Sequence, residues 1–203
     1  MVLPVTIEAL FGSRIAEILP DAITPALAAE LRARVASKYT RYSLVDRASY
    51  EYAPLDEPAL FERLVGIVQE RLSMEGASAL QVSASGANAT RGASARSGAS
   101  ASGAGARAVV EARVLRFAPG DYLLAHADRV HEGNPIEIVI DLSEAAVPGA
   151  EVHYRRRGAV FFRVPSVPCS MAIVERGPTV TCNHTYLSKR WTSNVVRLVA
   201  LVR

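Results

Sequence analysis

The chain has 203 residues, of which 50% are hydrophobic and 21% charged, the composition of a globular protein with one domain and some additions. Its net charge is only +3 and its basic residues form no concentrated stripe, so no nucleic-acid partner is expected. A membrane span would need about 18 consecutive apolar residues, and the sequence has no such run.

Residues 1–73 are predicted to form a helical and mixed support region. Thr24 and Pro25 are a typical helix start, because the hydroxyl caps the first turn and proline fits the first helical position. Residues 40–52 favour an extended segment, and a second helix is predicted from Asp56. The apolar stripes are Leu27, Leu31 and Val35 on the first helix and Leu60, Leu64, Val68 and Leu72 on the second.

Residues 74–107 have a different composition, consisting almost entirely of Ala, Ser and Gly over much of their length. Such a segment cannot bury enough apolar surface to offset the entropy lost on ordering. We predict a flexible linker or inserted loop, made mildly basic by Arg91, Arg96 and Arg107. It would be either a tether or lid for an anionic partner or a solvated spacer.

Residues 108–203 are predicted to form a β-rich core. Short runs of β-branched and aromatic residues alternate with turn residues, which is typical of a sandwich, barrel or jelly roll. No glycine-rich phosphate loop follows a strand, so Rossmann and P-loop folds are excluded. The two N-terminal helices are expected to cover one sheet. Strands are predicted at 109–117, 122–125, 136–142, 151–154, 159–164, 171–174, 179–186 and 195–202.

The N-terminus and the cysteines favour a cytoplasmic location. The first four residues lack the basic and then apolar layout of a secretory signal. Cys169 and Cys182 are too few for a disulfide scaffold and cannot form a zinc site alone.

Three side chains in this half of the chain are candidates for a metal site. His126 and Asp128 are two residues apart, so a regular strand points both to one face. His184 lies in the last strand but one. Two histidines and one carboxylate form the facial triad of non-haem Fe(II) oxygenases. Alternatively, His126 is a hydrogen-bonded histidine at a barrel rim, and His184 is a satisfied polar residue near a sheet edge.

The order of the motifs resembles that of the 2-oxoglutarate/Fe(II)-dependent dioxygenases, in particular their prolyl-hydroxylase-like branch. The resemblance covers about residues 108–203 and implies a double-stranded β-helix, a cupin-like jelly roll, within a mainly β (α+β) protein. The motifs are R-F-A-P-G-D at 116–121, H-A-D at 126–128, I-E-I-V-I-D-L at 136–142, P-G-A-E-V at 148–152, His184 and Arg197.

The resemblance also implies the cofactors and the residues that bind them. Fe(II) would be held by His126, Asp128 and His184, with 2-oxoglutarate and O₂ as cosubstrates. Arg197 would bind the distal carboxylate of 2-oxoglutarate, because a guanidinium matches a carboxylate with two parallel hydrogen bonds. Arg190, in the turn before the final strand, is the alternative anchor.

Two further residues adjoin the predicted site. Tyr122 lies four residues before His126, on the same face of a regular strand, and is either a ligand to 2-oxoglutarate or substrate or a core aromatic. Cys182 shares a face with His184 and either lines the pocket or is a small buried thiol.

The predicted function is hydroxylation of a C–H bond in an amino acid, a peptide or a small metabolite. Asp128 favours hydroxylation over halogenation, because the halogenating relatives replace this carboxylate with a small residue. Two alternatives stay open: a cupin-like metal enzyme without 2-oxoglutarate, and an inactive jelly roll that serves as a binding module. Succinate formation from 2-oxoglutarate separates the dioxygenase from the two alternatives. The absence of metal binding favours the inactive binding module.

Overall fold

The computed structural model describes residues 16–70, 108–126, 136–177 and 179–203. Residues 16–57 and 109–203 belong to one unit, and residues 58–70 belong to a second. The predicted linker at 74–107 and the candidate ligand Asp128 lie outside the described residues. No helix in the described part of the chain is long and apolar enough to cross a membrane.

The described residues contain eleven strands and two helices, including all eight strands predicted after residue 108. Helix α1 spans Pro25–Val35, and helix α2 covers residues 58–70. The strands are β1 (Ala16–Leu19), β2 (Thr40–Leu44), β3 (Ala48–Pro54), β4 (Val109–Phe117), β5 (Tyr122–His126), β6 (Ile136–Asp141), β7 (Val152–Arg156), β8 (Ala159–Val164), β9 (Met171–Glu175), β10 (Val180–His184) and β11 (Val195–Val202).

Eight of the strands form two four-stranded antiparallel sheets. The first has the order β9-β6-β11-β4 and the second the order β5-β10-β7-β8. Apart from the β7–β8 hairpin, successive strands alternate between the two sheets, which is the topology of a double-stranded β-helix. The prediction of a mainly β jelly roll is therefore confirmed.

The N-terminal strands complete the sheets, which the sequence analysis did not predict beyond an extended segment at 40–52. Strand β3 pairs with both β4 and β5 and so joins the two sheets. Strand β1 extends the first sheet beside β9, and β2 pairs with β3. These pairings connect residues distant in sequence, so the local composition of a strand does not indicate which strand it pairs with.

The core lies between the sheets and is largely aliphatic, as the low aromatic content of 6% requires. Successive side chains of a strand point to opposite faces of the sheet, so every second residue faces inward. Full burial of one such side chain contributes about 1.5–3 kcal/mol. Inward-facing members of this core include Leu115, Val139, Val152, Val174, Val180 and Val199.

Helix α1 begins where it was predicted to begin. Thr24 is its N-cap, and its hydroxyl accepts a hydrogen bond from the Leu27 amide at 3.2 Å. Ala28, Leu31 and Val35 are the buried face of the helix. Helix α2 starts at residue 58, two residues after the predicted start, and buries Leu60, Leu64 and Val68.

The turn between β4 and β5 fixes the start of β5. Gly120 has a φ of +100°, which side-chain-bearing residues rarely adopt. The buried carboxylate of Asp121 accepts hydrogen bonds from the Ala118 amide at 2.8 Å, the Ser49 hydroxyl at 2.8 Å and the Arg41 guanidinium at 2.7 Å. The turn is thereby attached to β2 and β3.

Candidate active site

Strands β5 and β10 pair with a register shift that determines which side chains point inward. Cys182 lies opposite His126, and His184 lies opposite Leu123. Three residues of β5 therefore span the same length as two residues of β10, which is a β-bulge in β5. Directly opposed residues point to the same face, so all four side chains share the inner face of the sheet.

The bulge separates Tyr122 from this face. Tyr122 directly precedes the inward-facing Leu123, pairs with Ser49 of β3 and is half-buried. Regular alternation along β5 would place Tyr122 and His126 on one face, as the sequence predicts, but the bulge breaks this alternation. The cofactor-binding role predicted for Tyr122 therefore depends on the sequence resemblance alone.

Both ring nitrogens of His126 have polar neighbours. Its Nδ1 lies 3.2 Å from the Leu124 carbonyl oxygen, and its Nε2 lies 3.6 Å from the Cys182 Sγ. Since a carbonyl oxygen can only accept, the Leu124 contact favours the tautomer with the proton on Nδ1.

A cleft of about 390 Å³ leads to His126 from the β2–β3 hairpin. Its walls include Tyr42, Leu44 and Leu124, which are 40%, 45% and 50% exposed. Exposed apolar side chains gathered at one cleft are typical of a ligand-binding site.

Arg197 and His184 meet deeper between the sheets. Arg197 Nη1 lies 3.1 Å from His184 Nδ1, and Arg197 Nη2 donates to the Ala150 carbonyl at 2.7 Å. Both side chains are buried, and the imidazole stacks on Phe117 with ring centroids 4.8 Å apart. Burial and, next, the positive charge of Arg197 hold the pKa of His184 well below its usual range. The imidazole is therefore neutral, and Nδ1 accepts the hydrogen bond.

The guanidinium of Arg197 is incompletely paired. Its buried Nε has no hydrogen-bond partner, and the nearest acidic charge acting on it, that of Asp141, makes no hydrogen bond to it in the described residues. Asp141 lies opposite on β6, but its Oδ1 accepts from the Ser143 amide and its buried Oδ2 has no hydrogen bond. Arg190, the alternative anchor, is exposed on the turn.

A second buried cluster, which the sequence analysis missed, adjoins His126. Arg176 forms an ion pair with Glu137, and the Tyr154 hydroxyl donates to Glu137 Oε1 at 2.7 Å. Arg176 Nη2 also donates to the His126 carbonyl at 3.2 Å. Burial raises the pKa of Glu137, but the Arg176 charge and the two hydrogen bonds outweigh burial and lower it. The available signal was Glu137, one of two acidic residues in the otherwise apolar run at 136–142.

The structure thus brings the predicted residues together in part. His126, His184 and Arg197 all face inward, with His184 and Arg197 in contact. Among the described residues, no three His, Cys, Asp or Glu side chains are grouped so that they could hold a metal ion. Asp128 lies outside the described residues.

Comparison with known proteins gives matches in structure but not in sequence. No family model and no curated protein matches the chain. A prolyl-4-hydroxylase from Pseudomonas putida is 15% identical, with a TM-score of 0.59 covering 93% of this chain and 91% of that chain. A 2-oxoglutarate–Fe(II) oxygenase family oxidoreductase from Burkholderia pseudomallei is 11% identical, with a TM-score of 0.56 covering 92% and 84%.

A third similar structure contains ligands. HygX from Streptomyces hygroscopicus, solved with nickel, 2-oxoglutarate and hygromycin B, is 12% identical, with a TM-score of 0.53 covering 95% of this chain and 84% of that chain. At these identities the likeness defines the fold. The chain has the double-stranded β-helix fold found in 2-oxoglutarate–Fe(II) oxygenases, which confirms the resemblance at the level of fold.

Proposed function

We propose that the protein is a non-haem Fe(II)- and 2-oxoglutarate-dependent dioxygenase that hydroxylates a C–H bond of an amino acid, a peptide or a small metabolite. The observation that carries this proposal is the incompletely paired guanidinium of Arg197, buried between the sheets of a fold that such oxygenases share.

Arg197 fits the distal carboxylate of 2-oxoglutarate. Burial of a charge costs roughly several kcal/mol, and the carboxylates of Asp141 and Glu151 act on Arg197 only through their charge and form no ion pair with it. A carboxylate ligand bound directly to the guanidinium would offset more of that cost. The Arg197 Nε makes no hydrogen bond, and its Nη1 donates to the neutral imidazole of His184. A guanidinium can donate to a carboxylate from two nitrogens at once.

His126 fits a metal ligand. Its Nδ1 is oriented by a backbone carbonyl, the usual arrangement in histidines that bind a metal through Nε2. The sequence resemblance names Asp128 and His184 as the other two ligands. When bound, Fe(II) and 2-oxoglutarate together activate O₂ for insertion into a C–H bond, with release of succinate and CO₂.

The cleft beside His126 is the proposed substrate site. Its volume lies within the usual range for small-molecule sites, about 300–1,000 Å³. The side chains of Tyr42, Leu44 and Leu124 would contact apolar parts of the substrate and exclude water from His126. HygX, which holds hygromycin B, supports a small-molecule substrate, although a peptide side chain would also fit a cleft of this kind.

We also propose that the enzyme works in the cytoplasm. Neither Cys169 nor Cys182 is in a disulfide, and Cys182 lies at the proposed site, where oxidation would alter it.

An anaerobic titration tests the function without knowledge of the substrate. The metal-free protein is titrated with Fe(II) and then with 2-oxoglutarate. We expect a weak visible charge-transfer band that saturates at one equivalent of each. Metal binding without the band would favour the cupin-like alternative, and the absence of metal binding would favour the binding module. Either result would contradict the proposal.

A further inference from the structure

We propose that a cleft on the outer face of the first sheet binds a small organic carboxylate, at a site separate from the proposed active site. This outer cleft is lined by helix α1, Tyr39, Arg116 and residues 192–194, among others, and has a volume of about 680 Å³. The usual range for small-molecule sites is about 300–1,000 Å³. The inference goes beyond the proposed function and does not depend on it, because neither the metal nor 2-oxoglutarate is involved.

The outer cleft and the proposed cosubstrate site lie on opposite faces of the same two strands. Arg116 of β4 pairs directly with Val196 of β11, and both residues line the cleft. Their neighbours Leu115 and Arg197 are buried between the two sheets. Since successive side chains of a strand point to opposite faces, the sheet separates a ligand in the outer cleft from Arg197.

Arg116 is the main carboxylate-binding group of the outer cleft. Its Nε donates to Glu51 Oε2 at 2.5 Å, and its guanidinium carbon lies 4.0 Å from the centroid of the Tyr39 ring. These two contacts fix the plane of the guanidinium. Neither Nη1 nor Nη2 donates to another residue in the described part of the chain. The two nitrogens are therefore available as the parallel pair of donors that binds both oxygens of a carboxylate.

Arg32 brings a second positive charge to the outer cleft. Its Nη1 donates to the Leu142 carbonyl at 2.7 Å, and its Nη2 lies 3.8 Å from Glu144 Oε1. The side chain of Glu144 is 84% exposed, so water screens its charge. Burial raises the pKa of Tyr39, and the charges of Arg116 and Arg32 both oppose that rise. The two guanidinium groups are therefore close to the same phenol and can act on one anionic ligand.

The rest of the outer cleft suits a ligand with an apolar body. Ala29, Ala33 and Ala36 recur along one face of α1 and its C-terminal end, where their small side chains leave room for a ligand. The exposed side chains of residues 192–194, which are Thr, Ser and Asn, form no hydrogen bonds within the described residues. They supply further polar contacts at the rim. An apolar surface beside two guanidinium groups favours a carboxylate attached to a small apolar group.

Benzoate is the probe for this site, because it joins a carboxylate to an apolar ring. Benzyl alcohol has the same ring without the charge, and acetate has the charge without the ring. The isotope-labelled, metal-free full chain is titrated with each compound, and the amide NMR signals of Ala33 and residues 192–194 report binding. We expect saturable shifts of these signals with benzoate, and affinities for the other two compounds that are weaker by roughly 10-fold or more.

Two pairs of variants locate the site. Arg116→Met should weaken benzoate binding by roughly 10- to 100-fold, the scale of hydrogen bonds to a charged group. Arg34→Met is its control, because Arg34 is also paired with a glutamate but lies outside the cleft. Ala33→Glu should weaken binding as well, because it places a negative charge in the cleft. Its control is Ala26→Glu, at an exposed alanine of the same helix outside the cleft. The Ala33 pair keeps the test valid even if Arg116→Met does not fold.

Arg197→Met distinguishes the outer cleft from the proposed cosubstrate site and should keep the benzoate shifts. Loss of binding in Arg197→Met, with normal binding in Arg116→Met, would place the carboxylate at Arg197 and overturn the inference. The absence of saturable shifts at the outer cleft, or equal affinities for benzoate and benzyl alcohol, would also overturn it. None of these results would contradict the proposed function, which concerns iron and 2-oxoglutarate.

Discussion

Arg197 is the residue on which cosubstrate binding depends in this account. Its charge is buried, and burial lowers its pKa, because removal from water disfavours the charged form. An arginine remains protonated despite such a shift. The site therefore contains a permanent cation that hydrogen-bonds to a neutral ring and a carbonyl, with the Asp141 charge opposite it on β6 as a counter-charge that forms no ion pair with it.

We predict that Arg197→Met weakens 2-oxoglutarate binding by about 2–5 kcal/mol, the scale for truncating one member of a buried charge pair. Fe(II) affinity should be nearly unchanged. Arg197→Lys should recover part of the loss, because an ammonium keeps the charge but loses the planar fork. Calorimetric titration measures both affinities.

The control is Arg190→Met, since Arg190 is exposed on the turn and should not contact the ligand. A strong effect of Arg190→Met, together with no effect of Arg197→Met, would show that the anchor had been misassigned.

Glu137 is predicted to be critical for stability. Glu137→Gln removes the charge that compensates the buried Arg176, and loss of one member of a buried pair costs about 3–5 kcal/mol. Urea denaturation at neutral pH measures the loss. Glu51→Gln is the control, because its partner Arg116 and Glu51 itself are partly exposed, where ion pairs contribute about 0–1 kcal/mol. Equal effects of the two substitutions would contradict the prediction.

The difference between the wild type and Glu137→Gln should depend on pH. The pKa of Glu137 is lower in the folded protein than its ordinary value of 4.5. The unfolded chain therefore binds the proton first as the pH falls below about 4.5. The stabilisation is complete above that pH and is lost as the pH falls through the folded-state pKa. A stability difference that grows as the medium becomes more acidic would have the wrong sign.

At the scale of elements, the strands were predictable and their partners were not. Turn residues such as Pro119-Gly120 and Gly149 separate the strands in the sequence, and alternating residues indicate their faces. The bulge in β5 and the pairing of β3 with both sheets depend on contacts between distant segments. Because of the bulge, the prediction from regular alternation that Tyr122 and His126 share a face was wrong.

Helix α1 provides a local test. We predict that Thr24→Ala lowers the free energy of unfolding by about 0.5–2 kcal/mol, because the Leu27 amide loses its capping acceptor. Thr192→Ala is the control, since Thr192 is exposed in a loop. Chemical denaturation of both variants measures the difference. An equal and negligible effect would show that the cap does not stabilise the folded protein.

At the scale of the whole molecule, residues 76–106 are predicted to be dispensable for folding. Replacing them with a shorter Gly/Ser segment should change the melting temperature little, because loop-closure entropy varies slowly with length. Calorimetry of the shortened protein tests this. A large fall in the melting temperature, or strong hydrogen-exchange protection of the segment in the full chain, would contradict the interpretation based on composition.

The candidate site was predictable to the extent that motif order determines it. The resemblance named His126, His184 and Arg197, and all three face the space between the sheets. The proximity of Cys182 to His126 follows from a bulge, and the Glu137–Arg176 pair from contact between two strands. Neither has a local sequence signal beyond an acidic residue in an apolar run.

Succinate formation is the most direct test of the central claim. The full chain is incubated with Fe(II), 2-oxoglutarate and O₂, and succinate is quantified against samples that lack each component and against Arg197→Met. We predict slow succinate formation that requires all three components, even without the true substrate, and a large reduction in the variant at limiting 2-oxoglutarate. Wild-type succinate that does not exceed the metal-free control, or equal formation by Arg197→Met, would contradict the account.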